Sequence, residues 1–277
     1  MADIYGSHFE FAGISSREFG LIIVNINTDR FVKVGGDIKS STIFSHRANQ
    51  KYLIDTDYTD SNMSIDIEII TEDERPIERD ERRAIEKWLF HHNEYCKMYL
   101  DIADDFNADT YEYVDGEIKR NYFNCRLLNP EKIESGSGTV GYKVTMETDS
   151  DLMWQDSIEK SFVTDIKTSD ASAIIDVIVD TDSLNYTYPT VTINIGNVGG
   201  DIIISNNSDD SSRLTKFVDM SPDTTIIMKG ESNYISGQYY TKFSTKNFIR
   251  LLDGINKLAV MGNVKSIKIA FSNRRGL

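Results

Sequence analysis

The densest group of side chains able to hold a metal is His91-His92-Asn93-Glu94-Tyr95-Cys96. Zinc needs three or four nitrogen, sulfur or carboxylate ligands converging on one point, and helical spacing brings only His92 and Cys96 onto one face. The adjacent histidines point to different faces, and no second pair with ligand spacing exists elsewhere in the chain. The expectation is the polar end of a helix, with no metal and no cofactor. Asp105-Phe106-Asn107-Ala108-Asp109 opens like a calcium loop, but the required glycine is Thr110 and the closing bidentate glutamate is Gly116. It reads as an acidic hairpin loop, with weak calcium binding left open. Nucleophilic catalysis needs a base beside Ser or Cys. All four histidines (His8, His46, His91 and His92) precede residue 93, so the second half of the chain has none. Carboxylate pairs abound among 44 Asp and Glu, and no spacing selects one pair as a glycosidase site. Gly196-Asn197-Val198-Gly199-Gly200 lacks the lysine of a phosphate loop and joins strand to strand, which makes it a turn. No catalytic, cofactor-binding or metal-binding residue is assigned, and the chain is expected not to be an enzyme.

Composition narrows the class further. A chain of 277 residues can bury a large core as one or two domains, and its 40% hydrophobic content suits a folded protein. The formal net charge of −14 is the wrong sign for displacing counterions from nucleic-acid phosphates or for adhering to anionic membranes. No specific nucleic-acid binding and no membrane association are expected. The start of the sequence shows no signal peptide, and its longest apolar runs are too short to span a bilayer. These features predict a soluble protein made in a cytoplasm. Cys96 and Cys125 stand in no metal-binding spacing and are expected to be free buried thiols.

The elements that would position any site are strands. Phe9 and Phe11 alternate onto one face, Gly13 permits a turn, and Ser15 with Glu18 has the spacing to cap one short helical turn that Gly20 can stop. Further strands are expected at Leu21 to Ile26, Ser64 to Ile70, Cys96 to Ile102, Tyr122 to Leu128 and Gly141 to Glu147. One amphipathic helix is expected from Asp73 to about Glu94, with Pro76 in its first turn and Trp88 as the anchor on a sheet. Residues 155–173 read as a linker or crossover. Strands then return at Ile174 to Val179, Thr190 to Ile195, Asp201 to Ser205, Thr225 to Met228, Asn256 to Val260 and Ser266 to Phe271, separated by short turn signals. The expected fold is mainly β. An N-terminal β-sandwich or split-barrel domain with one helix spans 1–154, and a C-terminal β-sandwich (jelly roll) spans 174–277.

The wording of several segments adds to that reading. Phe11-Ala12-Gly13-Ile14-Ser15-Ser16-Arg17-Glu18-Phe19-Gly20-Leu21 resembles the opening of the distal tail (Dit) proteins of long-tailed bacteriophages. Arg83-Ala84-Ile85-Glu86-Lys87-Trp88-Leu89 resembles the helix of their N-terminal domain. Lys143 to Thr148, followed by Leu152-Met153-Trp154, resembles the strand that closes it, although Thr148 and Met153-Trp154 depart from the usual Phe-x-Cys and Pro-aromatic. Tyr188 to Ile193 and Asp201 to Asn206 are similar to the first strands of the family's galectin-like domain, and Leu251-Leu252-Asp253-Gly254-Ile255-Asn256 to its final turn. The resemblance implies a structural virion protein of the tail tip, made in the bacterial host. Six copies would form a ring whose belt is the N-terminal domain. It would join the major tail (tube) protein to the baseplate hub or tail-associated lysin, around a channel for the tape-measure protein and then DNA.

Two other classes compete. A glycan-binding module for the host cell surface would use an aromatic platform, for which Tyr234, Tyr239 and Tyr240 are the candidates. A wall-degrading enzyme lacks any base–nucleophile arrangement. In a ring, the acidic segments Asp55 to Asp60 and Asp101 to Asp109 are the candidates for a channel wall that repels DNA.

Overall fold

The computed structural model describes residues 8–26, 37–45, 50–59, 63–101, 111–164, 166, 172–210 and 212–276. It divides into two compact units, one of residues 1–156 with 274–277 and the other of residues 157–273.

The first unit begins with β1 (His8–Phe11), β2 (Ile14–Ser15), β3 (Leu21–Ile26), β4 (Asp37–Ser45), β5 (Gln50–Thr59) and β6 (Ser64–Thr71). Helix α1 (Arg79–Phe90) follows, then β7 (Cys96–Asp101), β8 (Tyr111–Val114), β9 (Glu117–Ser135), β10 (Gly138–Thr148) and β11 (Met153–Gln155). The main sheet runs β2-β1-β7-β9-β10-β6-β3, with β8 and β11 branching from β9. Its two end strands are neighbours in sequence, joined only by the 3-10 turn Ser16–Phe19 and Gly20. In a flat sheet the ends of a seven-strand path would lie roughly 29 Å apart, more than the roughly 20 Å that this connection reaches even when extended. The sheet must therefore curl. His8 Nδ1 donates to the Leu21 carbonyl at 3.1 Å, and Phe9 N–H donates to Ser16 Oγ at 3.0 Å, closing the seam. Gly20 sits at φ 59°, ψ 38°, a left-handed conformation glycine adopts without a Cβ penalty, and so stops the turn as the sequence implies.

The concave side of the curl is apolar. Phe9, Phe11, Leu21, Ile23, Ile67, Ile69, Met98, Phe123, Val144 and Met146 alternate inward from six of the strands and are buried. Helix α1 covers this core with Ile85, Trp88 and Leu89. Trp88 lies between Phe9 and Phe19, with ring centroids 5.8 and 5.2 Å away, and its Nε1 donates to the Phe11 carbonyl at 2.8 Å. The helix is shorter than its apolar spacing implies at both ends. Arg75 precedes a proline, which disfavours the helical region for it. Ile77, instead of opening the helix, donates its N–H to the Thr139 carbonyl as a strand residue would, and is buried. Arg75 closes the true start by a bidentate bond to Glu81 at 2.6 and 2.8 Å, which holds that carboxyl below its usual range.

In the second unit the strands are β12 (Ile158–Val163), β13 (Ser172–Val179), β14 (Thr190–Ile195), β15 (Gly200–Asn206), β16 (Leu214–Met220), β17 (Thr225–Lys229), β18 (Tyr234–Ile235), β19 (Gly254–Met261) and β20 (Val264–Phe271). They form a five-stranded sheet, β12-β20-β14-β17-β18, and a four-stranded one, β13-β19-β15-β16. Each strand alternates, and the buried set from both sheets (Val177, Val191, Ile193, Ile202, Ile204, Phe217, Ile226, Leu258, Val260, Ile267 and Ile269) makes the core. The expected linker at 155–173 contains β12, an edge strand paired with β20 over six residues. Its pattern is masked in sequence because Lys160 and Glu159 stand beside Ile158 and Phe162. β21 (Arg274–Arg275) returns the chain to the first unit and pairs with β11, so the second unit is inserted between two hydrogen-bonded strands.

Asn256 explains the Leu-x-x-Gly-x-Asn turn. Fully buried, it donates Nδ2 to the carbonyls of Leu252 and Gly254, and its Oδ1 accepts from Leu252 N–H and Asn206 Nδ2. Four hydrogen bonds are the full capacity that this amide uses here, and Gly254 at φ 89° lets the backbone turn around it.

Candidate assembly surfaces

The residues singled out for chemistry serve the fold. His92 Nε2 donates to the Trp88 carbonyl at 2.6 Å, satisfying a helix-end acceptor, and its ring meets Phe11 edge-on at 5.4 Å. His91 is the residue at which α1 ends. Cys96 Sγ points to the Glu94 carbonyl at 3.8 Å. Among the described residues no three His, Cys, Asp or Glu side chains gather as a metal site. Cys96 and Cys125 are free and face each other across β7 and β9. Burial, and then the neighbouring carboxylate Glu94, raise the Cys96 thiol, while burial raises Cys125 far above the thiol range; neither is an activated nucleophile. Gly196–Gly200 joins β14 to β15 as a turn, held by Val198 N–H donating to Asn263 Oδ1. Residues 105–110 of the calcium-like loop, His46, and most of the segment Asp101 to Asp109 lie outside the described residues, as does Asp60 of the other acidic segment. Gly116 is described: with Asp115 it forms the positive-φ pair (52° and 82°) of the β8–β9 hairpin.

Of the three tyrosines proposed for a sugar platform, Tyr234 and Tyr240 are exposed and Tyr239 is half-buried. Lys246 Nζ stands 3.9 Å over the Tyr240 ring and Lys229 Nζ 5.8 Å from that of Tyr234.

A more ordered aromatic row lies on the convex face of the first unit. Glu10, Tyr99, Tyr122, Trp154 and Arg274 follow one another across β1, β7, β9, β11 and β21. Each ring carries a cation: Arg120 at 3.9 Å over Tyr99, Lys97 at 3.9 Å over Tyr122, and Arg274 at 4.3 Å over Trp154. The cations are neutralised in turn, Arg120 by Glu10 at 3.0 Å and Lys97 by Asp156 at 3.5 Å. Burial first, then donation of its hydroxyl to Asp156, raises the Tyr99 pKa. A closed set of this kind stiffens the convex face and carries no acid–base function. Sequence spacing could not reveal it, because its members come from five separate strands.

The feature best suited to assembly is the ribbon of β4 and β5. It is antiparallel from Asp37↔Thr59 to Ser45↔Gln50, with one irregularity after Ser41. Among the described residues it pairs with no third strand, whereas every other strand of the unit belongs to the large sheet or branches from it. A two-stranded ribbon is marginal alone in water, and among the described residues neither of its outer edges has a strand partner. The sequence reading did not identify these strands. Their signal is the β-branched and aromatic content of Thr42-Ile43-Phe44 and Tyr52-Leu53-Ile54, which lacks clean alternation.

Comparison with known proteins agrees with this architecture. No curated protein matches the sequence. The crystal structure of the SPP1 Dit protein, described as a paradigm of the hub adsorption apparatus of phages that infect Gram-positive bacteria, superposes with a TM-score of 0.61 at 12% identity. That match covers 97% of this chain and 98% of the other. A chain of the phage p2 baseplate in its activated conformation with strontium matches with a TM-score of 0.51 at 6% identity, over 96% and 98% of the two chains. At such identities these likenesses establish the fold. Two family models match in sequence, a phage tail protein N-terminal domain over residues 4–150 and a phage tail C-terminal domain over residues 154–272. Together with the mainly β two-unit fold, these matches establish that the chain belongs to this family of phage tail proteins.

Proposed function

We propose that the chain is a distal tail protein, a structural, non-enzymatic part of the virion at the tail tip. Six copies form a ring that joins the tail tube protein to the baseplate hub or tail-associated lysin. The channel holds the tape-measure protein and later passes DNA. The observation that carries the reading is the match in fold to SPP1 Dit over nearly the whole of both chains, within a phage tail family. The β4–β5 ribbon, which pairs with no third strand among the described residues, supports it, since a ring of more than two subunits needs a head-to-tail contact between two different surfaces of each copy. A ribbon edge is one such surface. Residues 1–154 then form the belt, and the second, galectin-like unit faces outward, where it can serve host attachment. With a net charge of −14, the channel wall carries more carboxylates than Lys and Arg, because a wall that held phosphates would slow DNA. Image classes from negative-stain microscopy of the purified chain test the ring; a lumen lined mainly by Lys and Arg in the assembled coordinates would overturn the channel assignment.

A further inference from the structure

Among the described residues the second unit has four sheet edges, and three of them are short, charged or covered. β16 is covered by the segment after Gly237–Lys242: Ser244 N–H donates to the Lys216 carbonyl at 2.8 Å, Lys216 N–H donates to Thr245 Oγ1 at 3.1 Å, and Phe217 bridges to Phe243. β18 is only two residues long. β12 carries adjacent charges at Glu159 and Lys160, and Glu159 pairs with Lys268 at 2.6 Å. Short length, charge and a covering segment are the usual ways in which an edge is kept from recruiting another strand.

β13 is neither short nor covered among the described residues, and its one charge is Asp176. Its eight residues pair with β19 alone among the described residues, in unbroken register from Ser172↔Met261 to Val179↔Gly254. It contains no proline, lysine or bulge. Its inward positions (Ile175, Val177 and Val179) are buried, as a sandwich strand requires. Its outward positions are the anomaly. Water-facing positions of such a strand are normally polar, yet Ile174 and Ile178 are 64% and 63% exposed. Ile255, directly opposite Ile178 on β19, is 58% exposed, and Met261, opposite Ser172, is 40% exposed. One open edge and four exposed apolar side chains on the face beside it form a single surface.

We infer that β13 is a docking edge that takes an extended strand from a different protein, one that presents a basic residue flanked two positions away on each side by apolar residues. The flanking residues lie beside Ile174 and Ile178, and the base lies beside Asp176, the acidic residue between them. Asp176 already has Lys257 opposite it on β19, so a base on its open flank continues the alternation of charge across the sheet, whereas a second acid is repelled. The same argument disfavours a second copy of β13 paired about Asp176. Antiparallel pairing of two β13 strands with Ile174 beside the partner's Ile178 places Asp176 directly beside the partner's Asp176. Backbone hydrogen bonds along the edge supply affinity, and the Ile–Asp–Ile pattern supplies selectivity. The inference concerns the second unit only and stands apart from the ring.

The probe is the end-capped, dye-labelled peptide Thr-Val-Thr-Lys-Thr-Val-Thr, with a twin bearing glutamate at the centre, titrated into the full chain by fluorescence anisotropy. The lysine peptide is expected to bind at least about fivefold more tightly than its twin. Hydrogen exchange is expected to slow at amides within Ser172–Val179. Ile174→Lys, at an exposed position, is expected to abolish binding while leaving the thermal midpoint unchanged. No binding of the lysine peptide at millimolar concentration, equal binding of the twins, or indifference to Ile174→Lys overturns the inference. Self-association of the chain that Ile174→Lys abolishes overturns the choice of occupant.

Discussion

Replacing Trp88 by alanine removes the largest side chain that joins helix α1 to the curled sheet. The ring is 6% exposed, lies between Phe9 and Phe19, and gives its N–H to the Phe11 carbonyl. Large-to-small changes of this kind cost about 3–5 kcal/mol through lost transfer energy and the cavity left behind. Trp88→Phe divides the effect, since a phenyl ring keeps most of the stacking and loses the hydrogen bond. Losing that hydrogen bond costs about 0.5–1.5 kcal/mol. Both tryptophans, Trp88 and Trp154, lie in the first unit, so indole fluorescence in urea reports that unit without interference from the second. With an m-value of about 2 kcal/mol/M, the alanine variant should unfold at a midpoint about 1.5–2.5 M lower, read from Trp154 alone. A midpoint within experimental error of the native one would refute the assignment of Trp88 as the anchor of the core. Equal losses for phenylalanine and alanine would show that the hydrogen bond, and not packing, carries the effect.

Three further outcomes follow from particular contacts. At Gly141 a Cβ would collide with the Ile69 carbonyl on β6, so Gly141→Ala should cost roughly 1–3 kcal/mol in the same urea assay; an unchanged midpoint would deny the close strand approach. Asn256→Asp removes both donations, to Leu252 and Gly254, and sets a carboxylate against two carbonyls. A loss of about 2–4 kcal/mol by circular dichroism at neutral pH, easing in acid as the carboxyl regains a proton, is the expected result. Arg250 grips Asp209 by two bonds at 2.6 and 3.0 Å and holds its carboxyl below the usual range. The stability from this depressed pKa is present above the unfolded pKa of about 3.9 and is lost as pH falls through the lower folded value. The gap between wild type and Asp209→Asn should therefore be about 2–4 kcal/mol at pH 7 and shrink in strong acid; a gap constant with pH would contradict the pairing.

How much of this was legible in sequence depended on whether local pattern and tertiary demand agreed. Phe9, Phe11, Ser15, Gly20 and Leu21 state their strand, cap and stop in consecutive residues, and the structure follows them. Ile85, Trp88 and Leu89 of α1 were readable from helical spacing, but Ala84, read onto the same face, is exposed, and the start of the helix was not readable. Ile77 has the right spacing for the helix and is captured instead by the Thr139 carbonyl on another element. Strand β12 was hidden because an edge strand tolerates Glu159 and Lys160 beside its apolar residues, so its composition imitates a linker. The β4–β5 ribbon and the convex aromatic row were illegible for a deeper reason. Periodicity reports burial against the chain's own core, and these features either face away from it or lack clean alternation. Surfaces for assembly are of that kind, which is why the resemblance to known tail proteins carried the functional reading further than residue spacing did.

The most direct test of the account is the mass and shape of the purified full chain in solution. Mass photometry with negative-stain imaging is predicted to give particles of six 31.5 kDa chains, seen end-on as rings with a central hole. Deleting β4 and β5 should return them to monomers that keep the native circular dichroism spectrum. A monomer at every concentration and salt, including after addition of the tube protein, would contradict the central claim.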